Sequence, residues 1–360
     1  MRLALAAMVL WSHSSELLYG DRRHEPLILL FHTIPLGELA VGGFFVLSGF
    51  LNAASWERDP HILSFLRKRI FRIYPGYLVA FFLSACVVGA IGAVDPIGFW
   101  HGLSAPKLLI EAITLQIPST PATFVRWPFM AVNGSMWTIQ FEFACYILIL
   151  GLGVSGLLLR RRVPLLLWTA AILGAFVFRL AGFDDPVTGP VEGSPLIGMR
   201  YFHLNYMIHF LPIFLAGAAL QRSRIYRYTP PSWMVVVATI VFVAALSERI
   251  TVDLGIASVG AYLLIWLAHR NLHLDAFRRI PDVSYGVFLY GWPTQKLIIA
   301  SELTRNPELI FAMSLGLSLL AGYASWYLIE KRALAVGRLL GQQRETSARP
   351  LAADAAGSSS

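Results

Sequence analysis

An arginine and a histidine, Arg2 and His13, stand eleven residues apart in the opening stretch MRLALAAMVLWSHSSELLYG, and a glutamate, Glu16, follows one turn later. On a helix, eleven residues turn about 1100°, within about 20° of three full turns, and rise about 16 Å, roughly half the hydrocarbon core of a bilayer. The spacing predicts Arg2 at one membrane edge and His13 near mid-depth on the same face. Glu16, at i+3, is within reach of the imidazole. An imidazole there has the chemistry of a general base. It is also a costly group to expose to lipid, so it marks either a reaction or a neighbouring helix that satisfies it.

The second constellation is RKRIFR, residues 67 to 72, in which Arg69 and Arg72 share a helix face at i, i+3. Guanidinium groups grip phosphates in bidentate fashion. The same block also reads as charge that merely fixes topology. A third is NGSMWTIQFEFACY, where Glu142 lies within an apolar run about five residues below Trp137. A carboxylate in that setting needs a partner, for which His13, Arg179 or a water cluster would each serve.

The elements that must hold these groups are membrane helices. The 360 residues are 56% hydrophobic and 14% charged, with a mean hydropathy of +0.62, whereas soluble domains carry about 25% charge. The expected architecture is all-α and polytopic, with about ten transmembrane helices. They are expected over Leu3–Tyr19, Gly37–Ala54, Tyr74–Val94, Met136–Leu159 and Val163–Ala181. Tyr201–Gln221, Trp233–Ser247, Leu254–His269, Val283–Ser301 and Leu309–Ile329 complete the set. If the N-terminus is cytoplasmic, 20 of the 29 lysines and arginines fall on the inner side, so both termini are expected in the cytoplasm. The net charge of +8 is thereby a matter of orientation, and nucleic acid is not expected as a partner. The lipid bilayer is. Residues 1–330 form the expected membrane domain, and 331–360 a cytoplasmic tail, a short helix fading into disorder. A signal peptide is disfavoured because no small-residue exit follows the first apolar run. The long outer connection from Asp95 to Val132 includes KLLIEAITL, a candidate interfacial helix. Cys86 and Cys145 sit apart in apolar runs, which suggests buried thiols rather than a disulfide. His203 and His209, six apart, do not share a helix face, so no metal is expected.

Taken in order, these stretches resemble the acyltransferase-3 family of membrane O-acyltransferases. The Arg2–x10–His13 pair is similar to that family's first helix, and GELAVGGFFVLSGFLNA to its glycine- and phenylalanine-rich second span. FLRKRIFRIYPGY resembles its R-x-x-R block, NGSMWTIQFEFACY its Trp-Ser/Thr-Leu-x-x-Glu motif, and SYGVFLYGWPTQ and SWYLIEKRAL its last two spans. Where many members carry a further histidine, this chain has Gly291.

The resemblance implies an enzyme of the bacterial inner membrane that moves an acyl group, most simply acetyl, from cytoplasmic acyl-CoA to a hydroxyl of a carbohydrate acceptor. On that reading Arg2, Arg69 and Arg72 hold the phosphates of the acyl-CoA donor, acetyl-CoA in the simplest case. His13 is the catalytic base, acting directly or through an acyl-histidine. Glu142 orients His13 or binds a sugar hydroxyl, against a purely structural pairing. Asn133, Ser135, Trp137 and Tyr285 are candidate substrate-binding residues, although Trp is equally at home at a membrane interface. Gly42 and Gly43 either let helices approach closely or leave a passage for the pantetheine arm. A transporter or flippase for a lipid-linked sugar would also explain ten spans and buried polar groups. It would not explain the basic block paired with Arg2 and His13.

Overall fold

Long apolar runs punctuated by prolines, glycines and arginine clusters fold as helices, because in lipid every backbone amide must find its partner within the chain. The computed structural model describes residues 1–181, 204–270 and 281–341, and within these nearly all regular structure is helical. We number the helices α1 Arg2–Tyr19, α2 Pro26–Phe31, α3 Leu36–Arg58, α4 Ile62–Gly92, α5 Pro96–Gly102, α6 Ala105–Ile113 and α7 Gly134–Val154. They continue as α8 Val163–Leu180, α9 Leu204–Ser223, α10 Ser232–Leu246, α11 Val252–His269, α12 Ser284–Ala300 and α13 Pro307–Gly341. Six of them, α3, α4, α7, α8, α11 and α13, are long and apolar enough to cross a membrane. Helices α1, α9, α10 and α12 cover the remaining ranges expected from the sequence. The KLLIEAITL stretch is helical as α6, with Leu109, Ile110 and Ile113 exposed. His203 and the tail beyond residue 341 lie outside the described residues.

Helix α3 is the central post: 72% of its apolar window is buried, against 17% for the peripheral α8. It packs chiefly on α9, and two glycines set that contact. A Cβ at Gly49 would fall 1.9 Å from the Phe214 carbonyl oxygen, and one at Gly217 would fall 2.0 Å from that of Val46. Backbone touches backbone here, the arrangement small residues permit between membrane helices. Gly42 and Gly43 likewise face side chains, Ile256 and Leu5. The glycines of the second motif are therefore packing residues. Helix α1 lies among α3, α12 and α13, which fixes the face that carries Arg2 and His13.

Helix α12 stitches the outer loop to the bundle. Pro293 has no N–H to offer the Leu289 carbonyl one turn back, and Asn133 Nδ2 donates to that carbonyl instead, at 2.9 Å. Ser135 Oγ donates to the Phe288 carbonyl at 3.2 Å and Trp292 Nε1 to that of Ala131 at 3.1 Å. The buried Lys296 ammonium donates to the carbonyl of Phe129. Four residues of one helix thus dictate the path of residues 129–135. At the opposite end of the bundle, a π-turn at Trp326–Glu330 within α13 brings Glu330 inward to meet Arg72. Such turns often mark functional positions.

Candidate active site

His13 has as its partner the residue that the i+3 rule names. The Nδ1 atom lies 3.1 Å from Glu16 Oε2. A carboxylate only accepts, so Nδ1 carries the proton and Nε2 is left as the basic nitrogen. Arg22 Nε donates to the other oxygen, Glu16 Oε1, at 3.0 Å. Glu16 is buried, and its charge is answered on both oxygens. The edge of the Trp292 indole meets the imidazole face, with centroids 4.9 Å apart at 76°. Trp292 is itself fixed by its bond to the Ala131 carbonyl, so the ring orientation of His13 depends on the outer loop. His13, Glu16, Arg22, Glu38, Ser135 and Trp137 line one small cavity of about 50 Å³.

A second, larger cavity of about 380 Å³ holds Arg2, Arg69 and Arg72, with Arg58 and Lys68 also on its wall. Arg2 and Arg72 both reach Asp282 Oδ2, at 3.1 and 3.0 Å, and Arg72 also reaches Glu330 Oε2 at 3.4 Å. Burial opposes ionisation of Asp282, but Arg72 and Arg2 hold its carboxyl below the ordinary range. Arg69 differs. Among the described residues it has no carboxylate partner, and its buried Nε makes no hydrogen bond. Its guanidinium lies 5.0 Å from the Phe65 ring centre and 5.7 Å from that of Tyr146. A partly buried cation left without a carboxylate partner on a cavity wall is a ready anion site.

Glu142 belongs to this cavity and not to the histidine. Its carboxylate accepts from Ser48 Oγ and from the Tyr146 hydroxyl, so the expectation that it orients His13 is corrected in favour of Glu16. Tyr285, expected among acceptor-side residues, is corrected too. Its hydroxyl donates to the Ile73 carbonyl at 3.0 Å and its ring lies 5.7 Å from the Arg72 guanidinium. Asn133 is fully buried and spends its amide on Leu289 and on Ser84 Oγ at 3.1 Å. Ser135 donates to Asn133 Oδ1 at 2.8 Å. These bonds tie Asn133 and Ser135 to α4 and α12. Trp137 does border the histidine cavity, packed at a tilt against Tyr206 and Phe210. At Gly291 a Cβ would lie 2.4 Å from Leu10 Cδ1, so a larger residue there would have to displace the Leu10 side chain.

The two cavities are neighbours. Val41, Thr138 and Phe288 line both, so these residues form a wall between the cavity of the arginines and that of His13. Glu38, Arg22, Trp292 and Phe288 escaped the sequence reading. A search for every carboxylate within an apolar run would have flagged Glu38, but nothing local marks the other three.

A family profile described as an acyltransferase domain, that of the acyltransferase 3 family, matches residues 1–329. An O-acetyl transferase of Shigella phage Sf6 is 27% identical over 345 residues, covering 92% of this chain and 94% of the relative. Nodulation protein 10 of Rhizobium leguminosarum bv. viciae is 25% identical over 352 residues, covering 93% and 92%. The acyltransferase MdmB of Streptomyces mycarofaciens is 32% identical over 170 residues, 46% of this chain and 41% of its own length. No solved structure matches.

Proposed function

The chain belongs to the acyltransferase 3 family and is a multi-pass membrane O-acyltransferase, and on that premise we propose that it moves an acetyl group from cytoplasmic acetyl-CoA to a carbohydrate hydroxyl presented from the other side of the bacterial inner membrane. The observation that carries this reading is the neighbouring pair of cavities, one with the arginines and one with the histidine, which share Val41, Thr138 and Phe288 in their walls. The distribution of basic residues supports the orientation, with Arg2, Arg69 and Arg72 on the cytoplasmic side. The name of the phage relative supports acetyl as the group transferred.

Arg69 meets a donor phosphate with its unpaired fork, and Arg2 and Arg72 add charge beside it. The pantetheine arm reaches the thioester through the shared wall. The acceptor hydroxyl gives its proton to His13 Nε2 as its oxygen attacks the thioester carbonyl. The tetrahedral adduct collapses with cleavage of the C–S bond, and the departing thiolate takes the proton back from the imidazolium. Glu16, backed by Arg22, stabilises that imidazolium while it lasts. The chemistry closes with one ester formed, one thioester broken and no net proton released. Purified protein should release CoA thiol from acetyl-CoA when given a membrane glycolipid extract, and the glycolipid should gain the mass of one acetyl group. An enzyme that consumes no acyl-CoA of any chain length under these conditions would refute the reading.

The wall itself is open to test. Phe288→Ala should raise acceptor-independent hydrolysis of acetyl-CoA several-fold, because water then reaches the thioester from the histidine side. A buried Phe→Ala change costs about 3–5 kcal/mol of stability, so Phe288→Leu serves as the milder companion. If both variants fold and leak no more thiol than the parent, Phe288 does not separate donor from water.

A further inference from the structure

Away from the active site, a groove of about 330 Å³ runs between two peripheral helices. Leu165 and Trp168 of α8 form one wall and Ala238 of α10 the other, over a floor of Ala216 and Ala219 of α9 and Ala257 of α11. Side chains as small as these alanines leave a hollow that the walls do not close. Helix α8 leans on α9 and α10 on α11, and the outer faces of both are bare, with Leu166, Leu173, Val237 and Ile240 exposed. The polar groups of the lining are satisfied within the protein. Trp168 Nε1 donates at 2.8 Å to the carbonyl of Ala257, which lies in a π-turn of α11, Ile256–Gly260. Ser223 Oγ donates to the Leu220 carbonyl at 3.2 Å, and Ser258 Oγ to that of Leu254. What the groove offers an occupant is apolar surface. Leu165 and Trp168 lie in the first two turns of α8 and Ala238 in the second turn of α10, so it reaches roughly 10 Å along these helices, within one leaflet. At that depth the filler is a hydrocarbon chain.

The mouth of the groove is basic. Ser223 and Ile225 line it, and Arg222 and Arg224 flank Ser223, with Arg227 just beyond. Arg222 Nη2 donates to the Leu159 carbonyl at 2.7 Å, which brings the exposed Arg160, Arg161 and Arg162, at the start of α8, to the same end. One Glu57 oxygen answers two of these charges, at 2.6 Å from Arg222 and 3.4 Å from Arg224. Among the described residues no carboxylate pairs with Arg160, Arg161, Arg162 or Arg227, so the cluster is strongly positive. Arg224 is set there against its backbone preference. Its φ of 60° is left-handed, a conformation in which glycine or asparagine ordinarily ends a helix, and its side chain is 55% exposed. We propose that the groove binds one chain of an anionic membrane phospholipid, whose headgroup phosphate is held by Arg224 and the arginines around it. Guanidinium groups suit phosphate, and basic pockets between helices at a membrane edge suit such headgroups. The site lies apart from both active-site cavities and stands whatever group the enzyme transfers.

The test uses the full-length protein, delipidated in detergent and read by native mass spectrometry, with dioleoyl phosphatidylglycerol and dioleoyl phosphatidylcholine as competing probes. Their chains are identical, so the ratio of the two adducts reads the headgroup alone. The parent should retain one phosphatidylglycerol and favour it by at least about fivefold, the effect of roughly one arginine at an anionic surface. Arg224→Gly relieves the left-handed backbone, so its melting temperature without lipid should not fall, yet the preference should drop toward one. Ala238→Phe fills the groove from the exposed α10 and should cut the phosphatidylglycerol adduct several-fold. Dibutyryl phosphatidylglycerol carries the headgroup without a long chain, and glycerol 3-phosphate carries the phosphate alone. Neither should displace the retained lipid at equal concentration, and this arm tests the groove even if Ala238→Phe fails to fold. Equal retention of the two dioleoyl lipids, an undiminished preference in Arg224→Gly, a full adduct on folded Ala238→Phe, or displacement by either short probe would each overturn the site.

Discussion

His13→Ala is expected to remain inserted and folded and to lose acyl transfer by about 10²–10⁴-fold, the range for removal of a general base, and by more if an acyl-histidine forms. The side chain is removed from the wall of a cavity, so no packed core collapses. His13→Gln keeps the size and the hydrogen bond to Glu16 but has no nitrogen that can take a proton, and it should be nearly as inactive. Glu16→Gln should be milder, because the ring stays in place while the imidazolium loses the opposing charge. Glu142→Gln touches neither histidine nor Glu16, and its effect should appear in the donor KM through Tyr146 and the Arg69 wall. Initial rates of CoA-thiol release measured across a range of acetyl-CoA concentrations separate the losses in turnover from the change in donor KM. A His13→Ala protein that is well expressed and transfers acetyl at the parental rate would end the mechanism.

Local spacing and long-range placement part company in this molecule. Arg2, His13 and Glu16 were legible because one helix carries all three, and the geometry of an ideal helix is the same in any fold. Arg69 and Arg72 were legible for the same reason. The partner of Glu142 was not. It comes from Ser48 on α3 and from Tyr146 one turn away, and the charge-bearing groups weighed for it were the conspicuous ones. Asn133 carries the same lesson. In sequence it is a polar residue at an outer helix entrance, fit to bind a sugar, yet its amide serves a carbonyl that Pro293 leaves without a donor, 156 residues along the chain. The place of Tyr285 beside Arg72 was not legible, because nothing in SYGVFLYGW says which of its rings lies there. The order of helices followed from hydropathy, while the contacts between them turn on backbone meetings such as Gly49 with Phe214 and Gly217 with Val46, which no periodicity reveals.

The donor side offers the cleanest separation of chemistry from topology. Arg69→Lys keeps the positive charge that orients a membrane loop, so insertion should be unchanged. What it loses is the planar fork and the stacking over Phe65 and Tyr146. Hydrogen bonds to charged groups are worth about 1.5–3 kcal/mol, and about 1.4 kcal/mol is a tenfold change in affinity, so the acetyl-CoA KM should rise roughly 10–100-fold. The turnover number should recover as acetyl-CoA is raised, since His13 and its cavity are untouched. Arg72→Lys should behave differently. That guanidinium already spans Asp282 and Glu330, tying α4 to the start of α12 and to the π-turn of α13, so its loss should lower thermal stability more than donor affinity. Measuring KM for acetyl-CoA and the melting temperature of both variants sets the two roles apart. An unchanged donor KM in Arg69→Lys would mean that the unpaired guanidinium holds no phosphate and that the basic block serves orientation alone.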